Sequence, residues 1–157
     1  MNEQFSIRAA RQSDAVAIKD LFQNTVLTVN RLNYSQEEVE DWASCGNDIS
    51  HIEDMINTHY FIVAVSQKSQ IVGFSSITLK GYLHSMFVHK DFQGKGVATV
   101  LLNEIERYAT AVGIKRIMSE VSLTARPFFE KRGFVVEKEQ KYKANKLSLT
   151  NFVMAKG

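Results

Sequence analysis

The chain has 157 residues, enough for one domain with a real core, and its 45% hydrophobic and 23% charged fractions are those of an ordinary globular protein. Its 19 Lys and Arg stand against 17 Asp and Glu, a net charge of +2 that is too even to point to nucleic acid or an anionic membrane as a partner. No apolar run approaches the ~18 residues of a membrane span. The one cysteine, Cys45, forbids an internal disulfide. Together with an N-terminal stretch that lacks a secretory pattern, it leads us to expect a cytoplasmic protein.

In chain order, residues 4–10 read as a short strand. Ser13 or Asp14 is expected to cap a helix carrying Ile18, Leu21, Phe22, Val26 and Val29 at helical spacing. Ser35 and Glu38 form a capping box for a short helix with Val39 and Trp42 on one face, ending near Cys45 and Gly46. A weaker helical pattern covers 48–57. Strands follow at 59–66, 71–80 and 82–89, an antiparallel meander. Gly94 to Val112 reads as a long amphipathic helix with Gly113 at its C-cap. Then come a strand at 114–122, a short helix at 124–131 stopped by Gly133, a strand opening at Phe134 and a last strand at 147–154. Pro127 is the only proline and no linker is visible, so residues 1–157 read as a single domain. Strand–helix–strand alternation after a meander predicts a mixed sheet covered by helices.

The stretch that carries chemistry is Gln93-Gly94-Lys95-Gly96-Val97-Ala98, between a strand and a long helix. Glycines let a ligand approach the backbone, and the first helical amides point outward with the helix dipole behind them. A pyrophosphate suits such a site, with Lys95 adding charge. A P-loop is excluded because Gly96, not Ser or Thr, follows Lys95; a dinucleotide fingerprint fails because Thr99 holds its third glycine position. An ordinary glycine-containing helix start remains the plain alternative.

This run resembles the acetyl-CoA signature of the GNAT acetyltransferase superfamily. The later run Ser122-Leu-Thr-Ala-Arg-Pro-Phe-Phe129-Glu-Lys-Arg-Gly-Phe134 is similar to that family's second signature. The region from Tyr34 to Trp42 resembles a bacterial, YafP-like subgroup. The resemblance implies an α/β (mixed α+β) GNAT fold: a sheet of about seven strands, about four flanking helices, and a splay between the fourth and fifth strands. It implies that acetyl-CoA is the co-substrate, with its pantetheine arm along Met86, Phe87 and Val88. Its diphosphate would lie on the amides of Gly94, Lys95, Gly96, Val97, Ala98 and Thr99, after Gln93. Ser122 stands where the family has an Asn, and Phe128 and Phe129 would flank the arm.

Acetylating an alkyl amine of pKa ~10.4 requires removal of a proton and an amide to hold the oxyanion, for which the Val88 N–H is the candidate. A leaving thiol of pKa ~8.5 needs an acid less urgently. The family often uses a Glu base and a Tyr acid. Here the Tyr position is Phe129, and two Glu positions are Tyr82 and Ile117. His84, on the same strand face as Tyr82, is the best substitute base, and Glu120 the second candidate. Tyr142 or Ser122 could protonate the thiolate, or it could leave free. His51, His59 and His89 lack metal-ligand spacing, so no metal is expected. Two functions are carried forward. One is an N-acetyltransferase acting on a primary amine of a small molecule or peptide by direct attack in a ternary complex. The other is a non-catalytic acyl-CoA sensor, suggested by the missing Tyr and Glu. A nucleotide-binding protein ranks third. Expected partners are acetyl-CoA and an amine, with neither nucleic acid nor membrane; the resemblance also admits a homodimer.

Overall fold

The structure, a computed structural model, describes residues 4–157; the first three residues of the N-terminal stretch read above lie outside it. The elements are β1 (Ser6–Ala9), α1 (Ala15–Thr28), α2 (Gln36–Ser44), α3 (Ile49–Thr58), β2 (Tyr60–Val65), β3 (Ile71–Ile77), β4 (Tyr82–Val88), α4 (Val97–Ala111), β5 (Ile117–Ser122), α5 (Arg126–Lys131), β6 (Val135–Lys143) and β7 (Ser148–Lys156). The weak pattern at 48–57 is a true helix, started by the Asp48 side chain accepting from Ser50 N–H at 3.1 Å, so the described residues hold five α-helices rather than about four.

The seven strands form one mixed sheet in the order β1-β2-β3-β4-β5-β7-β6. Only β4 and β5 run parallel, because α4 carries the chain back across the sheet between them. Helices cover both faces. On one, Leu101, Leu102 and Ile105 of α4 pack with Val72, Leu83, Ile117 and Met154. On the other, Ile18 and Leu21 of α1 and Ile52 of α3 pack on Phe61, Val63 and Phe74, while Val26, Tyr34, Val39 and Leu149 gather beneath α2.

Local chemistry explains most element ends and several corrections. The Ser35 box forms in both directions, Glu38 N–H to Ser35 Oγ at 3.1 Å and Ser35 N–H to Glu38 Oε1 at 2.9 Å. Neither Ser13 nor Asp14 caps α1 through its side chain. The Asp14 carboxylate is taken instead by the Arg8 guanidinium, at 2.8 and 3.0 Å, and by Arg11 N–H at 2.7 Å. Helix α4 begins at Val97 rather than Gly94, since Gly94 and Gly96 have φ of +72° and +89° and cannot lie inside a right-handed helix. Strand β5 begins at Ile117 rather than Ile114, because Ile114 N–H still closes the end of α4 on Ala109 C=O at 2.8 Å.

Candidate active site

The strands β4 and β5 part like a fork. They pair only at Tyr82 with Met118 and Leu83 with Ser119, and the Ser119 hydroxyl pins this closed end by donating to Leu83 C=O at 2.8 Å. Beyond it the strands diverge. On the β3 side, His89 N–H donates to Val72 C=O at 2.8 Å, and Val88 lies opposite Gly73. Alternation along an antiparallel ladder then turns the backbone groups of Val88 and Met86 away from β3 and into the fork. Phe87 faces Phe74 within the ladder, so its backbone groups are spent there and it offers only its side chain. Val88 C=O already accepts from Thr25 Oγ1 at 3.0 Å and Gln93 Nε2 at 2.8 Å.

Gln93 thus ties the glycine turn to the end of β4. Beyond it, a Cβ added to Gly94 or Gly96 would meet nothing within 4 Å, so both glycines present bare backbone to open space. The first intrahelical bond of α4 runs from Val100 N–H to Gly96 C=O at 3.1 Å, leaving the amides of Val97, Ala98 and Thr99 without an acceptor inside the helix. Lys95 Nζ sits over the Phe92 ring, 5.1 Å from its centroid, and Arg132 donates to Thr99 Oγ1 at 2.5 Å. Outward amides, a helix dipole and nearby cations are the donor set a diphosphate needs.

At the closed end of the fork, Tyr82 Oη donates to Glu120 Oε1 at 2.8 Å and Gln140 Nε2 donates to Glu120 Oε2 at 2.6 Å. Burial first, then Glu120, holds the Tyr82 phenol well above its ordinary pKa, so it remains a donor and is a poor acid. The His84 ring stands edge-on to Tyr82 at 5.7 Å and to His59 at 5.5 Å. It opens onto the cavity, yet the surrounding walls displace enough water, with His59 and His51 nearby, to lower its pKa to about 4. A register shift opposite Ser76 and Ile77 inserts an extra residue of β4 at this point. The bulge lets His84 and Phe87, three residues apart, line the same cavity.

One cavity of about 770 Å³ joins the glycine turn to Tyr82, His84 and Glu120. Phe128 and Phe129 line it, Phe129 being also core, 2% exposed and edge-on to Phe134 at 5.1 Å. Ser122 lines it too, but its Oγ accepts from Ala125 N–H at 3.0 Å and so helps start α5. Ile117 is buried in the opposite core, and Tyr142 reaches the cavity from β6. Cys45, at the end of α2, lines the rim, with its thiol pushed up by burial and by Asp41. Gln140, Thr25 and Asn151 are cavity or site residues that the sequence did not single out. The alternation of Gln140 with Tyr142 on one strand face was the available signal for the first. Two buried oxygens of lining residues, Thr124 Oγ1 and Asn151 Oδ1, have no hydrogen-bond partner. Among the described residues no cluster of His, Cys, Asp or Glu could hold a metal, and no helix is long and apolar enough to cross a membrane.

A forked mixed sheet with an anion-ready helix start beside the fork is an arrangement suited to a ligand that carries a diphosphate. Residues 30–156 match the family described as the acetyltransferase (GNAT) domain, and the chain belongs to that family of acetyltransferases. Over 148 residues, 94% of this chain and 93% of the relative, it is 28% identical to the uncharacterized N-acetyltransferase YafP of Escherichia coli (strain K12). It is similar to the crystal structure of a GCN5-related N-acetyltransferase, "Aminotransferase, Class-II", from Rhodopseudomonas palustris, with TM-score 0.95, 26% identity, and 100% and 98% of the two chains covered. The fold also matches the PaiA N-acetyltransferase of Thermoplasma acidophilum in complex with coenzyme A, with TM-score 0.79, 20% identity and 98% of each chain covered.

Proposed function

We propose that this acetyltransferase moves the acetyl group of acetyl-CoA to a primary amine by direct attack within a ternary complex. The observation that carries the reading is the single cavity joining the amides of residues 94–99, the fork at Met86 and Val88, and the Tyr82–Glu120–His84 cluster. A neighbour in fold is named as a complex with coenzyme A, and the outward amides and open glycine face of this chain fit the same group. The reading carries with it the cytoplasmic location expected from the sequence.

Acetyl-CoA supplies an activated thioester. The chain's residues then divide the work. Amides of Gly94 to Thr99 hold the diphosphate, and Met86 and Val88 align the arm. The Val88 N–H, turned into the fork, receives the oxyanion. The Glu120 carboxylate, oriented by Tyr82 and Gln140, attracts the amine and orients it once it has lost one proton to solvent. As the N–C bond forms the nitrogen becomes cationic and strongly acidic, so even a weak base takes its second proton. His84, neutral at pH 7 because its pKa lies at about 4, accepts that proton and passes it to solvent. The C–S bond breaks, and the thiolate leaves and is protonated by solvent; Phe129 offers no proton and none is required.

The sensor alternative predicts acyl-CoA binding without turnover. A test follows thiol release from acetyl-CoA with an amine panel, beside thermal protection by CoA, ATP and NAD. We expect protection by CoA alone and amine-dependent thiol release. Binding without amine-dependent release would favour the sensor.

A further inference from the structure

Two elements far apart in sequence meet over the face of the sheet that carries Tyr82, His84 and Glu120. The Asp41 carboxylate, on α2, accepts from three successive amides of the β6–β7 turn: Asn145 at 2.9 Å, Lys146 at 2.9 Å and Leu147 at 3.0 Å. Asn145 Nδ2 adds a bond to Ser44 Oγ at 3.0 Å. The Leu147 amide first, with those of Lys146 and Asn145, holds the Asp41 carboxyl below its ordinary pKa. On either side of this latch, Trp42 of α2 and Tyr142 and Ala144 of the hairpin line the cavity. The latched hairpin is therefore a strap across one end of the cavity.

The wall beneath the strap is aromatic. Phe22, Trp42 and Phe87 meet edge to face, with centroids 6.4, 5.1 and 6.1 Å apart for the pairs Phe22–Trp42, Phe22–Phe87 and Trp42–Phe87. Among the described residues lining the cavity, Glu120 is the one carboxylate, and there is no Lys or Arg. A polycation would find one carboxylate, Glu120, and no second one for its further charges. A peptide would bring backbone amides that these rings cannot satisfy.

Resting on the acetyltransferase reading above, we infer that the acceptor is a small amine with one positive charge on an apolar body. Its nitrogen sits at Glu120 and His84, its body against Phe22, Trp42 and Phe87. The strap between α2 and the β6–β7 turn sets the size limit.

The test compares kcat/KM for phenethylamine and cyclohexylmethylamine with that for spermidine and for a short N-blocked lysine peptide, read as thiol release. We expect the better apolar monoamine to exceed both others by about tenfold or more. A smaller margin, or a ranking led by spermidine or the peptide, overturns the inference and leaves the acetyltransferase reading standing. No turnover of any amine by protein that binds CoA overturns both. Trp42→Ala should raise KM for the apolar monoamine about tenfold with KM for acetyl-CoA unchanged. Asp41→Asn, which leaves the aromatic wall in place, should narrow the margin between monoamine and peptide. Wild-type KM values in the first variant refute the wall, and an unchanged margin in the second refutes the strap.

Discussion

His84 and Glu120 face the same cavity from neighbouring strands, and their surroundings treat them differently. Glu120 receives two hydrogen bonds, from Tyr82 and Gln140. His84 is near two other histidines and cavity walls that disfavour its charge. Its pKa in the folded chain, about 4, lies below its unfolded value of about 6.5. As pH falls through that window the unfolded chain takes up a proton that the folded chain refuses, so stability declines from about pH 6.5 to about pH 4. His59, shifted the same way by burial and His51, adds to the decline. His84→Gln should therefore shrink the difference between urea midpoints at the two ends of the window; an equal difference in both proteins would mean that the ring titrates normally when folded. In catalysis, His84→Ala should lower kcat at neutral pH by about 10²-fold or more and abolish an acid limb of kcat/KM near 4, rather than one near 6.5. An unaltered pH profile would remove His84 as the base.

At the scale of elements, the site is made by two local interruptions. The bulge in β4 keeps His84 on the cavity side, and the turn before α4 uses positive φ at Gly94 and Gly96 to aim amides outward. Gly96 is the N-cap residue of α4, and a side chain there would have to adopt φ near +89°. Gly96→Glu adds that strain, of about 1–2 kcal/mol, together with bulk and a negative charge where an anion is to bind. The helix itself is anchored by Leu101, Leu102 and Ile105, each at most 1% exposed, so the fold should persist. Calorimetric titration should show CoA affinity lost while the circular dichroism spectrum is retained. Retained tight binding would place the diphosphate elsewhere.

Across the whole molecule, Tyr34 joins what the fork divides. Its hydroxyl donates to Thr150 C=O of β7 at 2.6 Å and accepts from Leu123 N–H, just past β5, at 2.9 Å, so the N-terminal helices hold the C-terminal strands in place. Tyr34 is 6% exposed, and Tyr34→Phe would take the hydroxyl from two part-buried backbone groups. The expected cost is about 1–3 kcal/mol, read as a lower urea midpoint, and an unchanged midpoint would mean that water replaces the hydroxyl. The sequence by itself determined the order of the elements, the Ser35 box, the left-handed Gly113 that follows α4 and the turn at residues 93–98, because capping, periodicity and glycine conformations depend on residues within a few positions of one another. It also named His84, by its alternation with Tyr82 on one strand, and Glu120, by its place near the end of β5. It did not tell that Asp14 would be claimed by Arg8, that Gln140 would reach Glu120 or that Asp41 would grip the β6–β7 turn. The Gln140–Glu120 and Asp41–turn partners meet only once β5, β7 and β6 are paired and α2 is packed beside them, and the register and crossings that bring them together depend on the packing of the whole core.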